Sequence, residues 1–416
     1  MFKKRASGIL LHISSIPTDY GIGDVGPAAH SFVDFLKRAG QNYWQILPLN
    51  YTTAATGYSP YNCFSAFAGN PLFISPDFMY RDGLLRKDEL RQVPNFPADI
   101  VHYRRISSWK SKLFDKAFAR AGGLSVLDDY DRFAERNRFW LDDFATFVVL
   151  KNHFGAKSWS EWPADIRDRK KRSLTLLRKE LREEIDRESF LQYLWFRQYS
   201  SLRDKCKANA VTIIGDLPFY VAHDSADVWA HPKVFQLYRS RKPKYIAGVP
   251  PDYFSRTGQL WGNPIYDWQH LDRTDYDWWM RRIEHNLRLF DLVRIDHFRG
   301  LVAYWRVPAA DKTAVSGKWI QAPTDAFFSA LFRRFPSAPI FAEDLGYITE
   351  DVRETISKYG FAGMRVLQFG FDSDSANNPH YPHNHVENSL VYTGTHDNNT
   401  TRGWFETEAT PEQKKR

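Results

Sequence analysis

The sequence predicts an α/β protein with parallel strands, and two observations predict it. Short apolar segments alternate with amphipathic ones along most of the chain, and several of the apolar segments end in an acidic residue. Continuous apolar strands that alternate with helices are typical of a parallel sheet with crossover helices. The predicted strands occupy residues 43–49, 211–219, 290–296, 339–346, 364–371 and 389–399.

The predicted helices lie between these strands. Residues 28–40 place four apolar side chains on one helical face, and Gly40 suits the end of that helix. Residues 189–210 and 324–335 are amphipathic, and residues 349–360 begin at Thr349, a residue type that caps helices. The segment from about 80 to 190 is polar and mostly helical, which predicts an inserted helical subdomain.

Composition limits the classes of protein to which the chain can belong. The 416 residues are 43% hydrophobic and 25% charged, as in globular proteins, and contain no apolar run of the roughly 18 residues that a membrane helix needs. Cys63 and Cys206 give neither a disulfide framework nor a metal-binding spacing, so a cytoplasmic protein is expected. The net charge of +8 raises nucleic acid as a partner, but much of the excess lies in residues 165–188, where acids are interleaved. A solvated helix with ion pairs accounts for that pattern.

Aromatic residues are abundant, at 14 Trp, 21 Tyr and 31 Phe, or 16% of the chain. Many of them must lie in the core. Trp and Tyr rings also stack on flat, apolar surfaces such as the faces of sugar rings.

Acidic residues follow four of the predicted strands: Asp216, Asp296, Glu343 (with Asp344) and Asp397. In a (β/α)8 barrel the carboxyl ends of the strands form one rim, and active sites are built there. These acids from distant parts of the chain are therefore expected to meet in one pocket.

Three interpretations of these acids are open. A metal site is disfavoured by the neighbouring Arg294, His297 and Arg299, which add positive charge or compete for the acids. Glycosidic-bond chemistry needs two carboxylates, one as nucleophile and one as acid/base. A purely structural role, in helix caps or arginine pairs, suits any single acid better than it suits three acids in Gly- and His-rich segments.

The segments around these acids resemble those of a known family. "RIDHFRG", "AEDLG" and "YTGTHDNNT" are similar to the catalytic blocks of 4-α-glucanotransferases, the amylomaltase or disproportionating-enzyme family (glycoside hydrolase family 77) of the α-amylase clan. Matching segments run in order from about residue 5 to 404, among them "GILLHISSIPTDYGIGDVG", "SPYNCFSAFAGNPLFIS", "IGDLPFYVAHDSADVWAHP", "GVPPDYFSRTGQLWGNPIYDW" and "GMRVLQFGFD". The resemblance implies a (β/α)8 barrel and transfer of an α-1,4-glucan segment from a maltodextrin to glucose or another glucan. It implies no cofactor and no metal.

The resemblance also implies residue roles. Asp296 is expected to be the nucleophile, Glu343 the acid/base and Asp397 a transition-state stabiliser, with about 5–5.5 Å between the first two carboxyl groups. Arg294 is expected to keep Asp296 ionised, and burial beside Asp344 to raise the pKa of Glu343. The expected substrate-binding residues are Arg294, His396, Asp216, Tyr61, Trp261, Tyr253, Phe254, Ser59 and Asp372, and residues 248–266 are expected to form an active-site loop.

Several alternatives stay open. Trp261 and Tyr61 also fit packing at a barrel edge, and His297 a structural hydrogen bond. The chain also fits an α-glucan hydrolase of the same clan or an inactive glucan-binding fragment. Family chains continue beyond "THDNNT", so the last barrel strand and helix are expected to be missing from these 416 residues.

Overall fold

The computed structural model describes residues 4–124, 127, 129–251, 255–372 and 375–415. The strands are β1 (Gly8–Leu10), β2 (Tyr43–Gln45), β3 (Thr212–Leu217), β4 (Tyr245–Val249), β5 (Gln259–Pro264), β6 (Leu292–Ile295), β7 (Ala303–Pro308), β8 (Lys318–Gln321), β9 (Ile340–Ala342), β10 (Gly363–Val366) and β11 (Ser389–Tyr392).

The α-helices are α1 (Pro27–Arg38), α2 (Pro76–Arg81), α3 (Lys87–Leu90), α4 (Tyr103–Ala121), α5 (Tyr130–Asn137), α6 (Leu141–His153), α7 (Ala164–Arg167), α8 (Lys171–Glu180), α9 (Arg182–Ala208), α10 (Ala226–Ala230), α11 (Trp268–Arg273), α12 (Asp277–Leu289), α13 (Thr324–Arg334), α14 (Glu350–Lys358), α15 (Leu367–Gly370), α16 (Thr401–Gly403) and α17 (Pro411–Lys415). Among the described residues, no helix is long and apolar enough to cross a membrane.

A parallel sheet positions the site. Its strands lie in the order β1-β2-β3-β6-β9, and β10 and β11 form a second parallel pair. The amide of Ala342 donates to the carbonyl of Ala362 at 2.9 Å, which joins β9 to the residue before β10. The prediction of an α/β protein with parallel strands and crossover helices is confirmed, and the carboxyl ends of parallel strands meet at one edge of the sheet.

The central strands are buried on both faces, and most of their side chains are aliphatic. All four residues of β6 are buried, and Ile213 and Ile214 of β3 are buried beside them. Gly215 permits close packing here, since a Cβ atom at that position would lie 2.0 Å from the ring of Phe290. The close fit of Phe290 against Gly215 therefore helps to fix the register between β3 and β6.

A second, antiparallel sheet was not predicted. Its order is β5-β4-β7-β8, and β5 and the end of β4 fall in the predicted loop of residues 248–266. The sequence "GVPPDYFSRTGQLWGNP" is rich in Gly and Pro, which are typical of loops, so the sequence predicted a loop here and no strands. The role of this segment as an active-site loop stays a prediction.

Several predicted strands are longer than the observed ones. Residues 364–371 were predicted as one strand, but β10 ends at Val366 and α15 follows. Between β2 and β3 the described residues form only helices and short turns; the subdomain boundaries at about 80 and 190 stay a prediction. The missing last strand and helix also stay a prediction.

Thr349 occupies the N-cap of α14, but its hydroxyl bonds to Asp351 instead of a backbone amide.

Candidate active site

One arginine joins two of the predicted acids. Arg294 and Asp296 are two residues apart, so their side chains leave the strand on the same face. The Nη2 atom of Arg294 lies 2.9 Å from Oδ1 of Asp296, and its Nη1 lies 2.7 Å from Oδ2 of Asp216. Asp216 is the register partner of Arg294 across β3 and β6. The sheet thus places one buried guanidinium between two carboxylates.

Tyr61 and His396 extend this network. The Tyr61 hydroxyl donates to Oδ2 of Asp216 at 2.7 Å and lies 2.8 Å from Nε2 of His396. Because the hydroxyl has only one proton to donate, Nε2 of His396 must carry the proton that it shares with the Tyr61 oxygen. The two rings are nearly parallel, with centroids 5.5 Å apart. Chain segments more than 300 residues apart therefore meet at the strand ends.

Glu343 follows β9 and is held by backbone amides. Its Oε2 accepts from the amide of His297 at 2.8 Å, and its Oε1 accepts from the amide of Leu345 at 2.7 Å. His297 has a φ of 50°, the left-handed region that non-glycine residues rarely adopt. That conformation directs the amide next to Asp296 toward the second carboxylate.

Asp397 lies at the exposed margin of the cluster. Its Oδ1 is 3.3 Å from Nε2 of His396, and its side chain is 70% exposed, against 28% for Asp296. The structure therefore brings Asp216, Asp296, Glu343 and Asp397 together, as the strand-end pattern predicts.

Burial and neighbouring charges shift the pKa values of the acids. Burial raises the pKa of Asp296, Arg294 opposes that rise, and Asp216 and Glu343 add to it. Burial also raises the pKa of Glu343, against Arg294 and the two backbone amides, and the charge of Asp344 adds to the rise as predicted. Arg294 acts on the pKa of Asp296 in the expected direction, but burial and the other acids outweigh one guanidinium, so the net shift is upward.

The other predicted binding residues lie at different places. Trp261 packs edge-on against the ring of His297 with centroids 4.8 Å apart, next to Asp296. The Ser59 hydroxyl accepts from the amide of Tyr61 at 3.3 Å and so supports that tyrosine. Asp372 contacts Gln413, whose Nε2 donates to Oδ1 at 3.1 Å; no described contact joins Asp372 to the acids. Tyr253 and Phe254 lie outside the described residues.

Two half-buried groups next to the cluster were missed. His12 lies two residues after β1 and is half-buried, and burial of its ring together with the charge of His396 lowers the pKa of His12 to about 3. The Tyr392 hydroxyl donates to Oε1 of Gln45 at 2.7 Å, and Arg294 and Asp216 influence its pKa. The signal for His12 was its place after a strand, but that strand was itself not predicted. In the described part of the chain, no group of His, Cys, Asp and Glu suits a metal ion.

Comparison with known proteins agrees with this geometry. A family model described as 4-alpha-glucanotransferase matches residues 11–416. The chain belongs to the 4-alpha-glucanotransferase family. It is 45% identical to the 4-alpha-glucanotransferase of Clostridium butyricum over 98% of this chain and 83% of that protein, and 45% identical to that of Thermus thermophilus over 99% and 81%. An amylomaltase from Streptococcus agalactiae in complex with acarbose superposes with a TM-score of 0.95, at 40% identity over 99% of this chain and 83% of that one.

Family membership settles the activity. The chain is a transferase that acts on α-glucans, as the resemblance of its motifs implied. The relatives' names carry no residue roles, so the roles of the acids described above are a matter for proposal.

Proposed function

We propose that Asp296 and Glu343 carry out a retaining double displacement that moves an α-1,4-glucan segment from a maltodextrin donor to the 4-hydroxyl of glucose or another glucan. The observation that carries the proposal is the single buried Arg294 between Asp216 and Asp296, with Glu343 bound to the amide of the residue after Asp296. Two carboxylates at one site are what this chemistry requires.

The first step needs one ionised and one protonated acid. Burial raises the pKa of both acids, and the charge of Glu343 adds to the rise at Asp296, which favours the state in which only one of the two is ionised. Asp296 lies 2.9 Å from a guanidinium that stabilises its charge, which leaves the proton on Glu343. Asp296 attacks the anomeric carbon while Glu343 gives its proton to the departing glycosidic oxygen, and a covalent glucosyl-enzyme forms.

The second step reverses these roles. Glu343, now ionised, takes the proton of an acceptor 4-hydroxyl as that oxygen attacks the anomeric carbon and releases Asp296. Tyr61 stacks on the sugar at the bond to be cleaved, and its hydroxyl orients Asp216. Asp397 and His396 hold hydroxyl groups of that sugar. Trp261, which packs beside His297, helps to keep water away from the intermediate.

The architecture suits the same proposal. The five strands β1-β2-β3-β6-β9 and the pair β10-β11 are seven parallel strands that we assign to the wall of one (β/α)8-type barrel, with the acids at its carboxyl rim. The helices from about residue 80 to 190, which lie between β2 and β3, form the inserted subdomain. Two buried free thiols, Cys63 and Cys206, fit a reducing cytoplasm.

Incubation with maltotriose tests the reaction. A ladder of longer maltodextrins plus glucose is the expected product pattern. Glucose and maltose without longer products would favour an α-glucan hydrolase, and binding without products would favour an inactive glucan-binding fragment. Acarbose, which the related amylomaltase binds, is expected to suppress the ladder.

A further inference from the structure

An exposed aromatic platform, formed by Trp319 and Tyr347, lies beside the acid cluster and has no part in the steps above. The two rings are inclined by only 17°, with centroids 6.2 Å apart. Tyr347 is 65% exposed, a high value for a large apolar side chain. Trp319 lies on β8 and packs edge-on against its cross-strand partner Trp305 on β7, at a centroid distance of 5.2 Å.

A buried arginine fixes the platform in place. Arg299 is 6% exposed, and its Cζ atom lies 3.8 Å from the ring centroid of Trp319 and 5.4 Å from that of Tyr347. Its Nη1 donates to the carbonyl of Tyr347. Among the described residues Arg299 forms no ion pair, so two aromatic faces and a carbonyl stabilise its charge. Tyr347 is thus ordered at its backbone while its ring faces solvent.

The platform is continuous with the catalytic loops. Arg299 comes three residues after Asp296, and Tyr347 comes four residues after Glu343. Four residues span at most about 14 Å, so the tyrosine lies within a few sugar units of Glu343. The amide of Leu345 also binds Glu343, which ties the intervening loop to the acid.

We propose that Trp319 and Tyr347 stack a glucose ring of the α-glucan chain that lies on the leaving-group and acceptor side of the cleaved bond. The side follows from the proposed role of Glu343, because the acid/base faces the departing oxygen. Sugar rings present apolar C–H faces that match exposed aromatic rings, and an ordered Tyr347 loses little conformational freedom when it binds. Only chains long enough to reach the platform gain this contact.

Kinetics with short and long substrates test the site. The Tyr347→Ala variant is compared with the parent on maltotriose and on maltoheptaose. We expect a roughly 3- to 10-fold rise in KM for maltoheptaose, the scale of one aromatic stacking contact, with kcat and the KM for maltotriose within about twofold of the parent. Tyr347→Phe keeps the ring and should restore the parent value. Tyr80→Ala removes another exposed tyrosine, on α2, and should change nothing.

Three results would overturn the proposal: an unchanged KM for maltoheptaose, equal rises for both substrates, or a Tyr347→Phe variant as weak as Tyr347→Ala. If the parent shows no turnover, the affinities for maltoheptaose and maltotriose are measured by calorimetric titration in place of KM. Equal affinities of the parent and Tyr347→Ala for maltoheptaose would then refute the site. Failure of the proposed catalytic role of Glu343 would give a different result. The Glu343→Gln variant would remain active, and the effect of Tyr347→Ala on KM would still depend on chain length.

Discussion

Two buried cations in this molecule are stabilised in opposite ways. Lys110 on α4 is fully buried, and its Nζ donates to the carbonyls of Leu72 and Ile74 at 2.6 and 2.9 Å, with Asp24 at 3.9 Å. Arg294 lies between Asp216 and Asp296, with Glu343 close enough to influence its pKa.

The difference lies in the balance of charge. The ammonium group of Lys110 donates to two neutral carbonyls and lies near one acid. Burial lowers the pKa of Lys110 to about 8. Around Arg294 the acids outnumber the cation, and their charges raise the pKa of Arg294 well above its usual value against the effect of burial. A buried cation matched by carbonyls and one acid serves stability, whereas an excess of acids over cations marks a site that acts on a ligand.

The largest effect is expected from Asp296→Asn. Removal of the nucleophile should lower transfer by roughly 10^4-fold or more, with glucan binding retained. The matched control is Asp291→Asn at the opposite end of β6, where Oδ2 accepts from the amide of Ile213 at 2.9 Å and the amide oxygen of Asn can still accept. Rates of glucose release from maltotriose give the comparison. An Asp296→Asn variant with parental turnover would remove this residue from the mechanism.

Lys110→Met should lower the free energy of unfolding by about 3–5 kcal/mol, because Asp24 and two carbonyls lose their buried partner. Lys116→Met on the same helix, at a half-exposed position, should cost less than about 1 kcal/mol. Urea denaturation measures both. Between about pH 8 and 10.5 the unfolded chain holds the Lys110 proton more tightly, so the parent gains stability with pH and the deficit of Lys110→Met widens. A deficit that narrows with pH would contradict this account.

Arg294→Gln should lower kcat/KM by roughly 100-fold, the scale of losing one preorganised electrostatic partner. It should also change the pH profile. Arg294 lowers the pKa of Asp296, so its removal raises that pKa further, and the nucleophile is protonated up to a higher pH. The acid limb of the pH–rate curve therefore moves to higher pH. A shift to lower pH would contradict the charge assignment.

The smallest effect is expected from Tyr61→Phe. The ring remains, but the hydrogen bonds to Asp216 and His396 are lost, so kcat should fall roughly 10-fold. Tyr58→Phe changes a neighbouring tyrosine of the same loop and should leave kcat unchanged. If Tyr61→Phe matches the parent, the aromatic ring alone accounts for the role of Tyr61.

The sequence predicted the parts that depend on local pattern. Buried strands such as β3 and β6 are rich in aliphatic residues, and the acids at or just after their carboxyl ends identified the site. The antiparallel sheet was missed because its strands flank a Gly- and Pro-rich turn. His12 was missed because β1 has only three residues. The upward shift of the Asp296 pKa depends on how many acids share one guanidinium, which only the three-dimensional arrangement gives.

Trapping of the intermediate tests the central claim most directly. Glu343→Gln is incubated with α-maltosyl fluoride, whose leaving group needs no acid, and the protein mass and its labelled peptide are measured. We predict an added maltosyl group on the peptide that contains Asp296, and no label in Asp296→Asn/Glu343→Gln. A label on another residue, or fluoride release with no covalent species in Glu343→Gln, would contradict the proposed double displacement.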